Sequence, residues 1–168
     1  SFKGNKYFIK LHYGIGWNEI VKNLLKLRMP TIGAFPEWKA LKKLKSLGID
    51  CPEPVGFYSK GTNPAKSKSF LVTKSLLETI SLEEALQKGK FQELDFPIKK
   101  RFIEKVASIS RNLHKNGINH RDYYLCHFHV DKNMDIEKEI SLIDLHRAQL
   151  RNFVPARWAS KDIGGLFH

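Results

Sequence analysis

The sequence has few cysteines, few acidic residues and no long apolar run. Its two cysteines, Cys51 and Cys126, are too few for a disulfide framework, and their spacing fits no zinc site. A reducing cytosol is therefore the expected setting. No window approaches the roughly 20 apolar residues of a membrane span, so we expect a soluble protein that can still work at a membrane surface.

The shortage of acidic residues makes the chain strongly basic. It has 17 Asp and Glu against 29 Lys and Arg, a formal net charge of +12. This favours an anionic partner such as nucleic acid, phospholipid, a nucleotide or a phosphorylated sugar. Nucleic acid is not expected, because the basic residues are spread over the whole chain and no RNP-like or zinc-finger pattern occurs.

A hydrophobic fraction of 42% over 168 residues can form a core, in one domain or two small lobes. Residues 1–13 predict a β-hairpin that turns at Gly4-Asn5 and places Lys10 in a strand. Residues 17–28 predict an amphipathic helix with a basic face, and a second helix begins at Pro36 and ends at Gly48. Two strands follow, in "VGFYSKG" and "SFLVTKSL".

The second half of the chain is richer in helix. Ser81 and Glu84 form a capping box at the start of a short helix. The longest predicted helix ends at Gly117, and its apolar stripe is Ile98, Phe102, Val106, Ile109 and Leu113. "CHFHVD" and "EISLIDL" predict a β-hairpin, and "VPARWASKDIGGLF" begins another helix. This order of elements predicts a two-lobed α+β fold.

Four residues occur in the order that phosphoryl transfer from a nucleotide requires. Such a site needs a strand lysine for the phosphates, a helix glutamate to hold that lysine, a carboxylate at the acceptor hydroxyl and a later aspartate for metal. The chain offers Lys10 in "YFIK" and Glu37 in "PEWKAL". It then offers Asp122 in "NHRDYYLCH", directly after the long helix, and Asp144 in "LIDLH".

These segments resemble the lipopolysaccharide core heptose kinases of Gram-negative bacteria, a family of the protein-kinase-like superfamily. The resemblance covers nearly the whole chain, and "NHRDYYLCHF" and "IDLHRAQ" are specific to that family. It implies a small β-rich N-lobe over residues 1–77 and a mainly helical C-lobe over residues 78–168. It also implies ATP-dependent phosphorylation of a heptose hydroxyl in the inner core, at the cytoplasmic face of the inner membrane.

The resemblance also implies roles for single residues. Lys10 binds nucleotide phosphate, with Glu37 as its partner. Asp122 orients or deprotonates the sugar hydroxyl, and Asp144 is the magnesium ligand. Asp162 braces the catalytic loop. The implied cofactors are ATP and Mg²⁺, and the implied partners are the core glycolipid, the membrane surface and an acidic protein.

The sequence departs from the wider kinase pattern in three ways. His127 stands where typical kinases have a metal-binding Asn; imidazole is a poor Mg²⁺ ligand, so His127 either binds nucleotide phosphate or weakens one metal site. Asp144 is followed by Leu-His rather than Phe-Gly, which predicts a constitutively poised enzyme. A glycine-rich loop should precede Lys10, and helices should follow Phe167, so the chain is expected to be a fragment truncated at both ends.

Several alternatives stay open. The acceptor can instead be Kdo, an aminoglycoside or a protein tyrosine, and an inactive module that binds anionic ligands is a further alternative. His120, His127, His129 and His146 can form a metal cluster or, as we expect, brace the core and loops. The helix over residues 17–28 can pack on the small lobe, as we expect, or lie on anionic lipid. We expect Trp38 and Trp158 to be core residues.

Overall fold

The computed structural model describes residues 6–14, 16–25 and 32–167. The predicted turn at Gly4-Asn5 and the end of the predicted helix over residues 17–28 lie outside these ranges.

A three-stranded antiparallel sheet forms the N-terminal part of the fold. Its strands are β1 (Tyr7–His12), β2 (Pro54–Lys60) and β3 (Lys68–Lys74), in the order β1-β3-β2. Side chains alternate between the two faces, so Leu71 and Thr73 are buried while Ile9 and Leu11 are each 59% exposed. One face of the sheet therefore covers the core, and the other is open.

Two helices separate β1 from β2: α1 (Gly16–Leu25) and α2 (Phe35–Ser46). Pro36 lies in the first turn of α2, and Gly48, at φ 69°, follows its end, as the sequence predicts. α2 places Ala40, Leu41 and Leu44 in the core.

α1 does not pack its apolar stripe on the small lobe, so that expectation is wrong for the described part of this helix. A hydrogen bond attaches this helix to the β2–β3 loop: the Gly16 N–H donates to the Ala65 carbonyl oxygen at 3.2 Å. Ile20 is buried, but Trp17 is 54% and Leu24 51% exposed. The helix is held at its N-terminus, and most of its apolar side chains reach solvent.

The C-terminal part contains three further helices and two small sheets. The helices are α3 (Leu82–Gln87), α4 (Phe96–Lys115) and α5 (Ala156–Gly165). β4 (Thr79–Ser81), β6 (Phe128–Asp131) and β7 (Ser141–Leu142) form one antiparallel sheet, with β6 in the middle. β5 (Ile118–Asn119) pairs with β8 (Gln149–Leu150).

Local signals explain where these elements begin and end. The Glu84 N–H donates to Ser81 Oγ at 3.0 Å, which caps α3 as the capping box predicts. Gly117 follows α4 at φ 77°, and a Cβ there would lie 1.9 Å from the Arg151 carbonyl oxygen. Glycine is therefore required at this position, where the catalytic-loop candidate begins.

The predicted long helix and the hairpin of β6 and β7 are confirmed. β4, β5 and β8 were not predicted, because strands of two or three residues are too short to show a period. Among the described residues, no helix has the length and hydropathy needed to span a bilayer.

Candidate active site

A cavity of about 520 Å³ lies between the N-terminal sheet, α2 and the segment around β6 and β7. Lys10, Glu37, His127 and Asp144 line it together with apolar residues such as Leu71. The fold therefore brings three of the four predicted site residues, and His127, to one cavity. Asp122 is not one of the lining residues and lies on the adjoining loop.

Lys10 lies at the centre of the charged groups. Its Nζ is 2.5 Å from Asp144 Oδ1 and 3.2 Å from each carboxylate oxygen of Glu37. Burial alone would lower the pKa of Lys10, but the Asp144 hydrogen bond and the Glu37 charge outweigh it and raise the pKa. The ammonium group therefore stays charged.

Glu37 is the most buried member of this group, with 6% of its surface exposed. Burial raises the pKa of Glu37, and Lys10 opposes that effect without cancelling it. The ionised form of this carboxylate therefore depends on Lys10. The His12 Nε2 is 4.0 Å from Glu37 Oε2, too far for a hydrogen bond.

Asp144 has the left-handed backbone conformation, at φ 56° and ψ 57°. This conformation is uncommon for residues other than glycine, and Asp tolerates it better than most. The His146 Nδ1 lies 2.9 Å from Asp144 Oδ1. The His146 hydrogen bond, followed by that of Lys10, holds the pKa of Asp144 far below its ordinary value despite partial burial. Asp144 is therefore a stable anion at the cavity.

His127 links the cavity to the loop that carries Asp122. Its Nδ1 is 2.6 Å from the Asp122 carbonyl oxygen, which can only accept, so Nδ1 carries a proton. The other ring nitrogen, Nε2, lies 3.7 Å from Asp144 Oδ2. His127 belongs to a 3-10 turn, Leu125–His127, rather than to the strand in which the sequence placed it.

Asp122 is held by an arginine that the sequence analysis missed. The Arg147 Nη1 donates to Asp122 Oδ1 at 2.6 Å. The side chain of Asp122 is 12% exposed and that of Arg147 is 44% exposed. One carboxylate oxygen of Asp122 is thus fixed by a guanidinium group that still reaches solvent.

Asp162 of α5 braces the backbone before Asp122. Its two oxygens accept from the His120 and Arg121 N–H groups, each at 2.9 Å, and His114 Nε2 lies 3.0 Å from Oδ2. Arg121 has φ 74°, a conformation that costs energy in a non-glycine residue. The contacts of Asp162 are those predicted for a residue that braces the loop.

The four histidines do not form a metal cluster. No group of three or more His, Cys, Asp or Glu side chains suited to a metal occurs in residues 6–14, 16–25 and 32–167. His120 is fully buried, and its Nε2 donates to the Ile143 carbonyl at 3.0 Å. His129 Nδ1 lies 3.2 Å from Thr79 Oγ1. Both brace the fold, as expected.

The donor set fits ATP and Mg²⁺ in part. Asp144 offers hard oxygen ligands of the kind that Mg²⁺ prefers, and Lys10 offers a cation for phosphate in the same cavity. His127 offers nitrogen, which suits phosphate oxygens better than Mg²⁺. The described residues therefore fit a nucleotide phosphate group with a metal held mainly by Asp144.

The two tryptophans differ in their surroundings. Trp38 packs against Phe57, with ring centroids 5.9 Å apart, and borders the core as expected. Trp158 is half-buried and is surrounded by cations. The prediction of a core role is therefore wrong for Trp158.

Two solved structures share this architecture. "WaaP in complex with acyl carrier protein" matches with a TM-score of 0.79 and 32% identity, over 99% of this chain and 63% of that chain. "WbdD" matches with a TM-score of 0.60 and 19% identity, over 96% of this chain and 33% of that chain, which shows the fold alone. Together with the cleft, they define the class: a protein-kinase-like α+β fold.

The sequence comparisons narrow this class. The model of the "Lipopolysaccharide kinase (Kdo/WaaP) family" matches residues 1–168, and the chain belongs to this family. "Lipopolysaccharide core heptose(I) kinase WaaP" of Escherichia coli (strain K12) is 46% identical over 99% of this chain. The protein of the same name from Pseudomonas aeruginosa (strain PAO1) is 41% identical over 98% of it. This chain spans 64% and 62% of the length of these two relatives.

Proposed function

We propose that this chain is part of a kinase that uses ATP to phosphorylate a heptose hydroxyl in the inner core of lipopolysaccharide. The observation that carries the proposal is the convergence of Lys10, Glu37 and Asp144 on one cavity, with Asp122 on the adjoining loop. Family membership and relatives with this activity in their names support the choice of acceptor.

Each site residue has a proposed role. Lys10 binds the nucleotide phosphates, and Glu37 fixes the position of its ammonium group. Asp144 holds Mg²⁺. His127 lies next to Asp144 and offers a ring nitrogen to a phosphate oxygen. When bound, ATP and Mg²⁺ supply the transferable phosphoryl group and the charge that neutralises it.

Asp122 is the proposed acceptor of the sugar hydroxyl proton. Arg147 occupies Oδ1 and leaves Oδ2 for that hydroxyl. Because one oxygen is fixed, the carboxylate plane is fixed as well, and the second oxygen is aimed without further ordering. We also propose that the lobe boundary lies where the sequence analysis placed it, between residues 77 and 78.

The proposal is tested with Asp122→Asn in the full-length enzyme. The amide keeps the size of the carboxylate but cannot take a proton, so phosphate transfer to heptose should fall by about 10²–10⁴-fold. Asp95→Asn is the control, since Asp95 is exposed and its side chain caps no backbone group. Near-normal turnover of Asp122→Asn, with an unchanged melting curve, would remove Asp122 from the mechanism.

Two measurements separate this function from its alternatives. Intact-mass analysis of heptose oligosaccharide, Kdo, aminoglycoside and tyrosine peptide after incubation with ATP identifies the acceptor. Calorimetric titration with Mg-ATP tests the alternative of an inactive module that binds anionic ligands. A full-length protein without measurable affinity for Mg-ATP would favour that module over the kinase.

We propose further that the outer sheet face binds the membrane surface. This face is apolar in the centre and consists of Tyr7, Ile9, Leu11, Tyr58, Phe70 and Val72. Exposed Lys60 and Lys68 lie opposite each other at one end of it, and residues 54–77 contain no acidic residue. Apolar side chains with a basic rim suit anionic lipid.

Vesicle co-sedimentation tests this face. Lys60→Gln/Lys68→Gln should weaken binding to phosphatidylglycerol vesicles by about 30-fold, at roughly 1 kcal/mol per lysine. Lys99→Gln/Lys100→Gln on α4 removes the same charge elsewhere and should have little effect. Equal losses for both variants would contradict the assignment of this face.

An acidic protein partner is also proposed. A structure of a related protein contains acyl carrier protein, and the net charge of +12 favours an acidic partner here too. Binding of acyl carrier protein to the full-length enzyme should weaken steeply between 50 and 300 mM salt. Absence of binding at low salt would contradict this partner.

A further inference from the structure

Three cations surround one indole ring at the start of α5. Arg151 Cζ and Arg157 Cζ each lie 5.7 Å from the Trp158 ring centre, and Lys161 Nζ lies 5.6 Å from it. These four side chains are called the Trp158 cluster. Attraction to the ring holds the cations in place while Arg151, Arg157 and Lys161 remain exposed.

The positive charge of the Trp158 cluster is not neutralised by the fold. Within residues 6–14, 16–25 and 32–167, none of its three cations forms an ion pair with Asp or Glu. The side-chain hydrogen bonds of Arg151 go to the neutral amide oxygens of Asn119 and Gln149. Arg157 and Lys161 are four residues apart on one helix, where like charges repel.

The helix adds to this imbalance. Arg157 lies in the first turn of α5, and that turn contains no acidic residue. The N-terminal end of a helix carries partial positive charge, which favours anions and disfavours cations. A concentration of positive charge that the chain itself does not offset is a feature of anion-binding sites.

The Trp158 cluster adjoins the loop that carries Asp122. Arg151 Nε is 3.1 Å from Asn119 Oδ1, and Asn119 is three residues before Asp122. Asp162, the neighbour of Lys161, holds the backbone of His120 and Arg121. The cluster is therefore connected to the backbone of the loop that carries Asp122, and it does not line the nucleotide cavity.

We infer that the Trp158 cluster binds an acidic group of the acceptor saccharide, a carboxylate or phosphate on a sugar next to the one that is phosphorylated. Guanidinium groups match the two oxygens of such anions, and the lysine adds a point charge. The cluster thus selects an anionic oligosaccharide and orients it towards Asp122. This inference rests on the proposed function for the identity of the acceptor.

Binding is measured in the full-length protein carrying Asp122→Asn, so that turnover does not interfere. The probes are the deacylated core oligosaccharide, the same material with its carboxylates reduced to alcohols, and a dephosphorylated sample. Unmodified oligosaccharide should bind at least about tenfold more tightly than the sample that lacks the recognised anion. Arg157→Gln/Lys161→Gln should abolish this preference and leave affinity for the neutral form unchanged.

Lys39→Gln/Lys42→Gln is the matched control. These two lysines also lie on a helix over aromatic rings, at 5.5 Å from Phe35 and 5.3 Å from Trp38. Both rings pack against Phe57 of β2 in the N-terminal sheet, so the control should retain the preference. A melting curve establishes that both variants are folded.

With the catalytic aspartate restored, Arg157→Gln/Lys161→Gln should raise the KM for oligosaccharide about tenfold and leave kcat and the KM for ATP unchanged. Equal affinity for acidic and neutral oligosaccharide, or equal losses in the control, would overturn the inference. The inference would also be overturned if Arg157→Gln/Lys161→Gln lost binding to phosphatidylglycerol vesicles but kept its binding to the oligosaccharides. The binding arms need no turnover, so failure of the proposed kinase activity would be recognised separately.

Discussion

The Lys10 ammonium nitrogen lies 2.5 Å from Asp144 Oδ1, although 134 residues separate the two in the sequence. Glu37 contacts the same nitrogen at 3.2 Å. One cation is therefore shared by two carboxylates, one buried and one at the edge of the cavity. The ionisation of all three groups is coupled, and the loss of any one changes the other two.

Lys10→Met should leave Glu37 without its counter-charge. Because burial already raises the pKa of Glu37, the loss of Lys10 should raise this pKa further, and stability should fall by about 1–2 kcal/mol. Phosphate transfer should fall by at least about a hundredfold. Denaturant unfolding and ATP kinetics measure the two effects. Lys6→Met, just before β1, is the control, and equal effects at both positions would contradict the coupling.

Asp162→Asn should weaken the loop that carries Asp122. The amide keeps one acceptor for two backbone N–H groups that are each 2.9 Å from the carboxylate, and it brings donors into a site that needs none. We expect a loss of about 2–3 kcal/mol in the free energy of unfolding. Urea unfolding of the variant, beside Asp135→Asn as an exposed control, measures it. A cost below that of the control variant would refute the bracing role.

Gly117→Ala and Gly48→Ala separate backbone strain from steric conflict. Both glycines have positive φ, 77° and 69°, but only the first has a carbonyl oxygen 1.9 Å from where Cβ would lie; at Gly48 nothing is within 4 Å. Gly48→Ala should cost about 1–2 kcal/mol, from conformation alone. Gly117→Ala should cost clearly more, and soluble expression and melting temperature should both fall. Equal costs would show that the backbone at Arg151 moves aside for the new Cβ without a further cost in free energy.

The buried His120 should make the fold less stable in acid. Burial lowers its pKa below the ordinary value, despite the hydrogen bond to Ile143. Below about pH 6.5 the unfolded chain therefore binds a proton that the folded chain resists, and stability falls as the pH decreases. His120→Asn should reduce the slope of unfolding free energy between pH 7 and 5. An unchanged slope would assign the acid sensitivity to the other histidines with lowered pKa, His12 and His129.

The sequence predicted the site residues that lie in, or soon after, helices and strands long enough to show a periodic apolar pattern. Lys10 follows from a strand, Glu37 from the first turn of a proline-started helix, and Asp122 from the glycine that ends α4. Arg147 was missed because its contact with Asp122 depends on a 3-10 turn and a left-handed Asp144, neither of which has a period. Local patterns specify elements, whereas contacts between loops depend on tertiary packing.

The exposure of α1 and Trp158 illustrates the same limit. An apolar stripe with helical spacing predicts a buried face, yet Trp17 and Leu24 are about half exposed, because the helix is attached through one turn to the β2–β3 loop. The three cations around Trp158 come from α5 and from the segment between β8 and α5, and they cannot be read from spacing alone. Amphipathicity identified the helix but not what its apolar face contacts.

The distance along the chain between Lys10 and Asp144 also sets the order in which the site forms on the ribosome. At about 5–20 residues per second, the aspartate is made roughly 7 to 27 s after the lysine. Glu37 is made only 27 residues after Lys10 and can neutralise it first. The strand that carries Lys10 pairs with β3, Lys68–Lys74, so the nascent chain can place Lys10 beside Glu37 once β3 has been made and before Asp144 has been made.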